Sequence, residues 1–123
     1  MSAAASDVRV CFVSAPDAEV AKRIARALVD ERLAACVNIV PGVSSIYRWQ
    51  GAVSEDAELM LIVKTTHARL APLAERLAVL HPYALPELVA ITPSGGSERY
   101  LDWVREASAA GPTRAKPNER DSE

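Results

Sequence analysis

Little in this 123-residue chain advertises chemistry. It has two cysteines, two histidines and one phenylalanine, and its formal net charge is only −2. Cys11 and Cys36 are too far apart for a CxxC redox pair or a zinc ribbon. Each stands in an apolar, strand-like setting where a reduced thiol behaves as a small hydrophobe, so no structural disulfide is expected. The near-neutral balance offers no polyanion-binding surface, which excludes nucleic acid as an expected partner. No apolar run is long enough to span a bilayer, and the opening MSAAASD has no basic region followed by an apolar one. The expectation is therefore no membrane, no signal peptide and a cytoplasmic protein. P-loop, GxGxxG, HExxH and nucleophile-elbow motifs are all missing, and two histidines with two cysteines cannot complete a closed zinc site within one dense motif. No catalytic constellation emerges, and the reading is non-enzymatic.

What is present is hydrophobic. Half of the residues are apolar, enough for one domain with an adequate core. They centre on residues 33–51, LAACVNIVPGVSSIYRWQG, which are nearly free of charge and rich in β-branched and aromatic side chains. Pro41 cannot donate to a central ladder. The stretch reads as one long strand bent or bulged at Pro41-Gly42, or alternatively as a hairpin turning there. At about 3.3 Å per residue the single strand would span roughly 60 Å, whereas a domain of this size has a radius of gyration of about 13 Å. Such a strand must curl, fold back or overhang its sheet, and an overhanging apolar strand needs another chain to cover it. Oligomerisation through this stretch is the expectation.

In chain order, residues 8–13 form a short strand suited to a sheet interior. A helix starts near Ser14-Ala-Pro-Asp17 and runs to about Arg32, with Ala21, Ile24, Ala25 and Leu28 as its buried stripe. After the long strand, residues 50–56 read as a polar turn. Residues 58–65 form a third strand, apolar on both faces and so covered on both, by helices on one side and economically by a second chain on the other. Residues 66–80 form a second helix whose start Pro72 delays or distorts, burying Leu70, Leu73, Leu77 and Leu80. Residues 87–92 give a fourth strand. Residues 98–110 give a last helix with Tyr100, Trp103, Val104 and Ala107 on one face, stopped at Gly111-Pro112. The fold class is α+β: a ferredoxin-like βαββαβ sandwich with an additional C-terminal helix. Its expected limits are a flexible terminus over 1–7, the domain over 8–110 and a charged, disordered tail over 111–123.

The order and spacing of LAACVNIVPGVSSIYRWQG, IVKTT, HPY, PE and YLDW over residues 8 to 107 closely resemble the CutA divalent-cation tolerance proteins. That resemblance implies a homotrimer with strands of neighbouring subunits joined around a three-fold axis. It also implies tolerance to copper and other divalent metals, with metal held between subunits. CutA subunits further share their architecture with PII-type signalling proteins, whose inter-subunit clefts suit small anionic ligands. That likeness is one of fold alone.

Cys36 is the softest ligand available, suited to Cu(I) or Zn²⁺ when deprotonated, and is otherwise a buried core thiol. His81 opens the HPY motif on a loop where side chains can be exposed. Its neutral imidazole suits copper and zinc, and its alternative role is a locally bonded, helix-terminal histidine. Glu87 follows a proline at a strand start and could bind a cation, pair with Lys64, or simply be exposed. His67 reads as ordinary surface. Position 84 is Ala, where many relatives in the resembled family carry a polar or acidic group, so a ligand from that position is missing. Lys64, at the end of an apolar strand, must pair, snorkel or function. With Tyr47, Trp49, Tyr83, Tyr100 and Trp103 it could line a cleft between subunits, although aromatics at such positions are more often core or interface. The expected ligands are thus Cys36, His81 and Glu87, holding a divalent metal, Cu(II) or else Zn, without tight binding. The rival functions are a PII-like small-molecule sensor and a trimeric scaffold.

Overall fold

A computed structural model describes residues 7–111; the expectations for the first six residues and for most of the 111–123 tail lie outside them. Strand β1 (Val8–Ala15) is followed by helix α1 (Ala18–Asp30), the long strands β2 (Cys36–Trp49) and β3 (Ala52–Thr66), helix α2 (Leu70–Leu80), the short strand β4 (Val89–Ile91) and helix α3 (Glu98–Ala107). All strand pairs are antiparallel, in the order β2-β3-β1-β4. This is the α+β arrangement read from the sequence.

The elements begin and end for local reasons. β1 runs on through Ser14 and Ala15, so α1 starts later than the sequence suggested. Its N-cap is Asp17, which accepts from the backbone N–H of Val20 at 2.9 Å. The helix ends before Arg32, whose φ of 60° lies in the left-handed region. Arg32 then donates to the carbonyls of Ala109 at 2.7 Å and Glu106 at 3.0 Å, tying the end of α1 to the end of α3. Pro72 acts as expected: one 3₁₀ turn, His67–Arg69, precedes the regular helix. On α3 the buried residues are Leu101 and Val104; Trp103 and Ala107 pack beside them, and Tyr100, read on the same face as Trp103 and Val104, is exposed.

One face of the sheet carries Cys11, Val13, Ala15, Leu61 and Val63 against Ala21, Ile24, Leu28, Leu73 and Leu77 of the first two helices. Each of the large side chains fully buried there contributes about 1.5–3 kcal/mol by transfer from water. Alternation along paired strands puts Val10, Phe12, Met60, Ile62, Val89 and Ile91 on the other face. The small cluster under α3, built from Val8, Ala35, Leu101 and Val104, covers only one end of that face. Val89 and Ile91 stay exposed.

The hairpin reaches beyond the sheet. β1 pairs with β3 only from Leu59 to Thr66, so residues 52–58 have β2 as their one partner among the described residues. Residues 43–49 and 52–58 thus form a two-stranded ribbon about 23 Å long, with Ile46 69% and Val53 66% exposed. The turn is Gln50-Gly51, with φ of 51° and 83°, the two-residue primed geometry that suits strand twist. Hence residues 52–56, read as a polar turn, are strand, and the chain turns at Gln50-Gly51 and not at Pro41-Gly42.

Candidate functional site

Pro41-Gly42 forms a bulge. Val40 pairs with Met60 and Val43 with Glu58, so two residues of β2 face the single Leu59. Gly42 adopts φ 76°, open to glycine without strain. Because side chains alternate with period two, the extra residue resets the alternation, so that Val40 before the bulge and Val43 after it lie on one face. Ser45, Tyr47 and Trp49 thereby share a side with their cross-strand partners Asp56, Ser54 and Ala52, and with Glu58 next along β3.

The loop after α2 forms the other wall. His81 is buried, 6% exposed, and both ring nitrogens are engaged. Nε2 is 2.7 Å from the Ser14 carbonyl, and Nδ1 accepts from the Tyr83 backbone N–H at 3.1 Å. This arrangement requires the neutral Nε2–H tautomer. The imidazole also packs on the Tyr83 ring at 4.6 Å. His81 therefore holds Tyr83 in place from inside the protein; of its two sequence readings, the locally bonded helix-terminal histidine is the one observed. Tyr83 in turn donates to Glu58 Oε2 at 2.7 Å.

Between ribbon and loop lies a cleft of about 700 Å³, lined on one side by Tyr47, Trp49, Asp56 and Glu58 and on the other by Tyr83, Leu85, Pro86 and Glu87. Tyr47 donates to Asp56. That hydrogen bond, with burial and neighbouring negative charge behind it, raises the Tyr47 phenol above its usual range. Burial raises Tyr83 further, reinforced by the bond to Glu58 and the charges of Glu58 and Asp56. Both phenols stay protonated donors.

The sequence-derived residues divide. Tyr47, Trp49, Tyr83 and Glu87 line this cleft. Lys64, Tyr100 and Trp103 do not. Lys64 donates to Asn38 and sits cross-strand from Cys36, while Tyr100 stacks on Trp103 at 5.6 Å on α3. Cys36 is half-buried, its Sγ 3.9 Å from Asn38 Oδ1, and both cysteines are free thiols. Among the described residues of one chain, no three His, Cys, Asp or Glu side chains group closely enough to hold a metal. Cys36, His81 and Glu87 are not brought together, and a single subunit's donors do not fit a complete metal site. Asp56 and Glu58 are the cleft residues that sequence reasoning missed. Placing the tight turn at Gln50-Gly51 would have put Ser54, Asp56 and Glu58 in period-two register opposite Tyr47, Ser45 and Val43.

No described helix is long and apolar enough to cross a membrane. The family profile described as CutA1 divalent ion tolerance protein matches residues 9–107. The Divalent-cation tolerance protein CutA of Thermus thermophilus is 59% identical over 97 residues, covering 79% of this chain and 94% of that one. Protein CutA of Homo sapiens is 42% identical over 101 residues, which are 82% of this chain and 56% of the human protein. The solved structure of the divalent cation tolerance protein from Thermus thermophilus superposes with a TM-score of 0.82 at 56% identity, covering 83% of this chain and 99% of that chain. With fold, motif order and a family match over residues 9–107 in agreement, this chain belongs to the CutA1 divalent ion tolerance family.

Proposed function

We propose that this protein binds divalent metal, copper before zinc, loosely and between the subunits of a homotrimer, and so contributes to divalent-cation tolerance without catalysing a reaction. The observation that carries the proposal is the sheet face left bare of α1 and α2. Its apolar residues, with the projecting ribbon, resemble half of an obligate interface. Cys36 and Lys64 follow the alternation of that same face, so face-to-face copies would bring several thiols near one another. One chain lacks a full donor set, and assembly would supply it.

Cys36 is the first ligand by softness and partial exposure, and Glu87 offers an exposed carboxylate. His81 serves as a ligand only by releasing its bond from the Tyr83 N–H. Two free thiols accord with a reducing compartment, and the cytoplasm is part of the same proposal.

Calorimetric titration with Cu²⁺ and Zn²⁺, beside light scattering, tests this reading. The expected result is a trimer mass and binding weakened at least tenfold by Cys36→Ala. Undiminished affinity in Cys36→Ala/His81→Ala and in Glu87→Gln would reject these ligands, and a monomer mass would reject the assembly. The cleft itself favours a second reading, a sensor of small molecules.

A further inference from the structure

We infer that the cleft between the hairpin ribbon and the loop after α2 binds a small organic ammonium ion, its amine against Glu58 and its apolar body between Trp49 and the tyrosines. The inference gives the sensor reading a ligand class and does not depend on metal binding at Cys36.

Charge excludes the anion that fold analogy suggests. The ionisable acids lining the cleft are Asp56, Glu58 and Glu87, and among the described residues of one subunit no Lys or Arg lines it. No salt bridge engages any of the three among the described residues. The hydrogen-bond donors facing Asp56 and Glu58 are neutral phenols, which leave the negative charge uncompensated. Cross-strand from the ribbon's inner side, Arg48 pairs with Val53 and follows the opposite alternation.

Glu58 points to a ligand in particular. It is a carboxylate only 8% exposed, and such a group is costly to bury without compensation. Oε2 accepts from Tyr83; Oε1 has no partner among the described residues, yet it is not sealed from solvent, so it opens to the cleft. A cationic N–H donor is the complement of that oxygen.

The walls distinguish an organic cation from a bare metal ion. The space is far larger than an ion needs, and the acids do not converge as a metal-holding group. Tyr47 and Trp49 present partly exposed rings, and Leu85 and Pro86 add apolar surface opposite. Aromatic faces near carboxylates attract an ammonium group through the ring quadrupole, while the rest of the ligand is desolvated against the rings.

The test uses the full-length protein carrying Trp103→Phe, so that Trp49 is the fluorophore that remains. Tryptamine would obscure the signal, so the probes are cyclohexylammonium and spermidine, with cyclohexanecarboxylate, inorganic phosphate and Zn²⁺ as comparators. The expected result is a saturable change in Trp49 emission with either amine and none with the anions. Glu58→Gln should weaken amine binding about tenfold or more, as loss of a charge-assisted contact requires, while Cys36→Ala leaves it unchanged. Circular dichroism and mass should match the parent in both variants. Glu58→Asp, which keeps the charge, should bind more tightly than Glu58→Gln and serves if the amide variant misfolds. No saturation at millimolar amine, equal response to the anions, equal amine affinity in folded Glu58→Gln, or response to Zn²⁺ alone overturns the inference. None of these outcomes bears on the Cys36 titration, so the two readings fail separately.

Discussion

The Tyr83 hydroxyl donates to Glu58 Oε2 across 2.7 Å and so joins the loop after α2 to the base of the hairpin ribbon. His81 fixes the other end of this link by accepting from the Tyr83 N–H and bonding to the Ser14 carbonyl. Three separated segments of chain meet through two side chains.

Removing the phenolic oxygen should therefore cost more than a surface hydroxyl would. Tyr83→Phe leaves Glu58 buried with neither oxygen paired among the described residues, an expected loss of about 1–2 kcal/mol. Urea unfolding at one fixed protein concentration measures it. Glu58→Gln should cost less, because an amide carbonyl still accepts from Tyr83. A loss in Tyr83→Phe below that of an exposed Tyr100→Phe would show that the link contributes nothing.

The same link sets an alkaline limit. Tyr83 is raised above its ordinary value of 10.0, first by burial and then by the bond to Glu58, and Tyr47 is raised by its bond to Asp56. A phenol whose folded pKa exceeds its unfolded one gives its full stabilisation below the unfolded pKa and loses it as pH climbs toward the folded value. Stability should hold to about pH 10 and then decline. The urea midpoint followed from pH 8 to 11 should fall less steeply in Tyr83→Phe than in the parent; parallel curves would exclude Tyr83 as a source.

Much of the layout was legible because burial writes itself as periodicity. Ala21, Ile24, Ala25 and Leu28 are the buried stripe of α1 as spaced in the sequence, and Pro72 displaces the start of α2. The bulge at Pro41-Gly42 was one of two readings, and the observed register selects it. The ribbon's second strand was hidden for a physical reason. Residues 52–58 have no layer of helices behind them, so Ser54, Glu55 and Asp56 show no apolar alternation and resemble a turn. His81 was half legible. The locally bonded alternative matches its bond from the Tyr83 N–H, but burial against the Ser14 carbonyl is a tertiary contact that leaves no local pattern.

The two thiols should differ sharply toward an alkylating agent. Cys11 is fully buried, and desolvation pushes its pKa up to about 11. At pH 8 only about one molecule in a thousand would carry the Cys11 thiolate even if reagent could reach it. Iodoacetamide on the native protein, read by peptide mass, should spare Cys11 and modify it once urea unfolds the chain. Rapid native modification of Cys11 would mean that β1 opens locally on the labelling timescale.

The hairpin turn leaves stability unused. Gln50 holds φ 51°, a left-handed conformation that favours Asn or Gly, and Gly51 follows it at 83°. Gln50→Asn creates the Asn-Gly pair that this turn prefers and should raise stability by about 0.5 kcal/mol, with no contact of the core altered. Gly51→Ala should do the reverse by about 1 kcal/mol, since space is open around the missing Cβ and the penalty is conformational alone. Equal midpoints for the parent and both variants would contradict the primed turn.

The bulge offers the sharpest test of how sequence places the cleft. Deleting Gly42 removes the extra residue on β2, leaving Pro41 alone opposite Leu59. Directly paired residues share a side, so if the proximal and distal pairings both hold, Tyr47 and Trp49 stay beside Asp56 and Glu58, and only the local twist of the bulge is lost. The Tyr47 hydroxyl should then keep Asp56, its phenol should stay raised, and Trp49 emission should still respond to cleft ligands. Gly42→Ala keeps the register and strains only one φ, so it should cost about 1 kcal/mol yet preserve the Trp49 response. Tyrosine absorbance titration and Trp49 fluorescence in a Trp103→Phe background follow both variants. A folded deletion variant that loses either signal would mean that the bulge's own twist, or a register slip that it prevents, aims these rings.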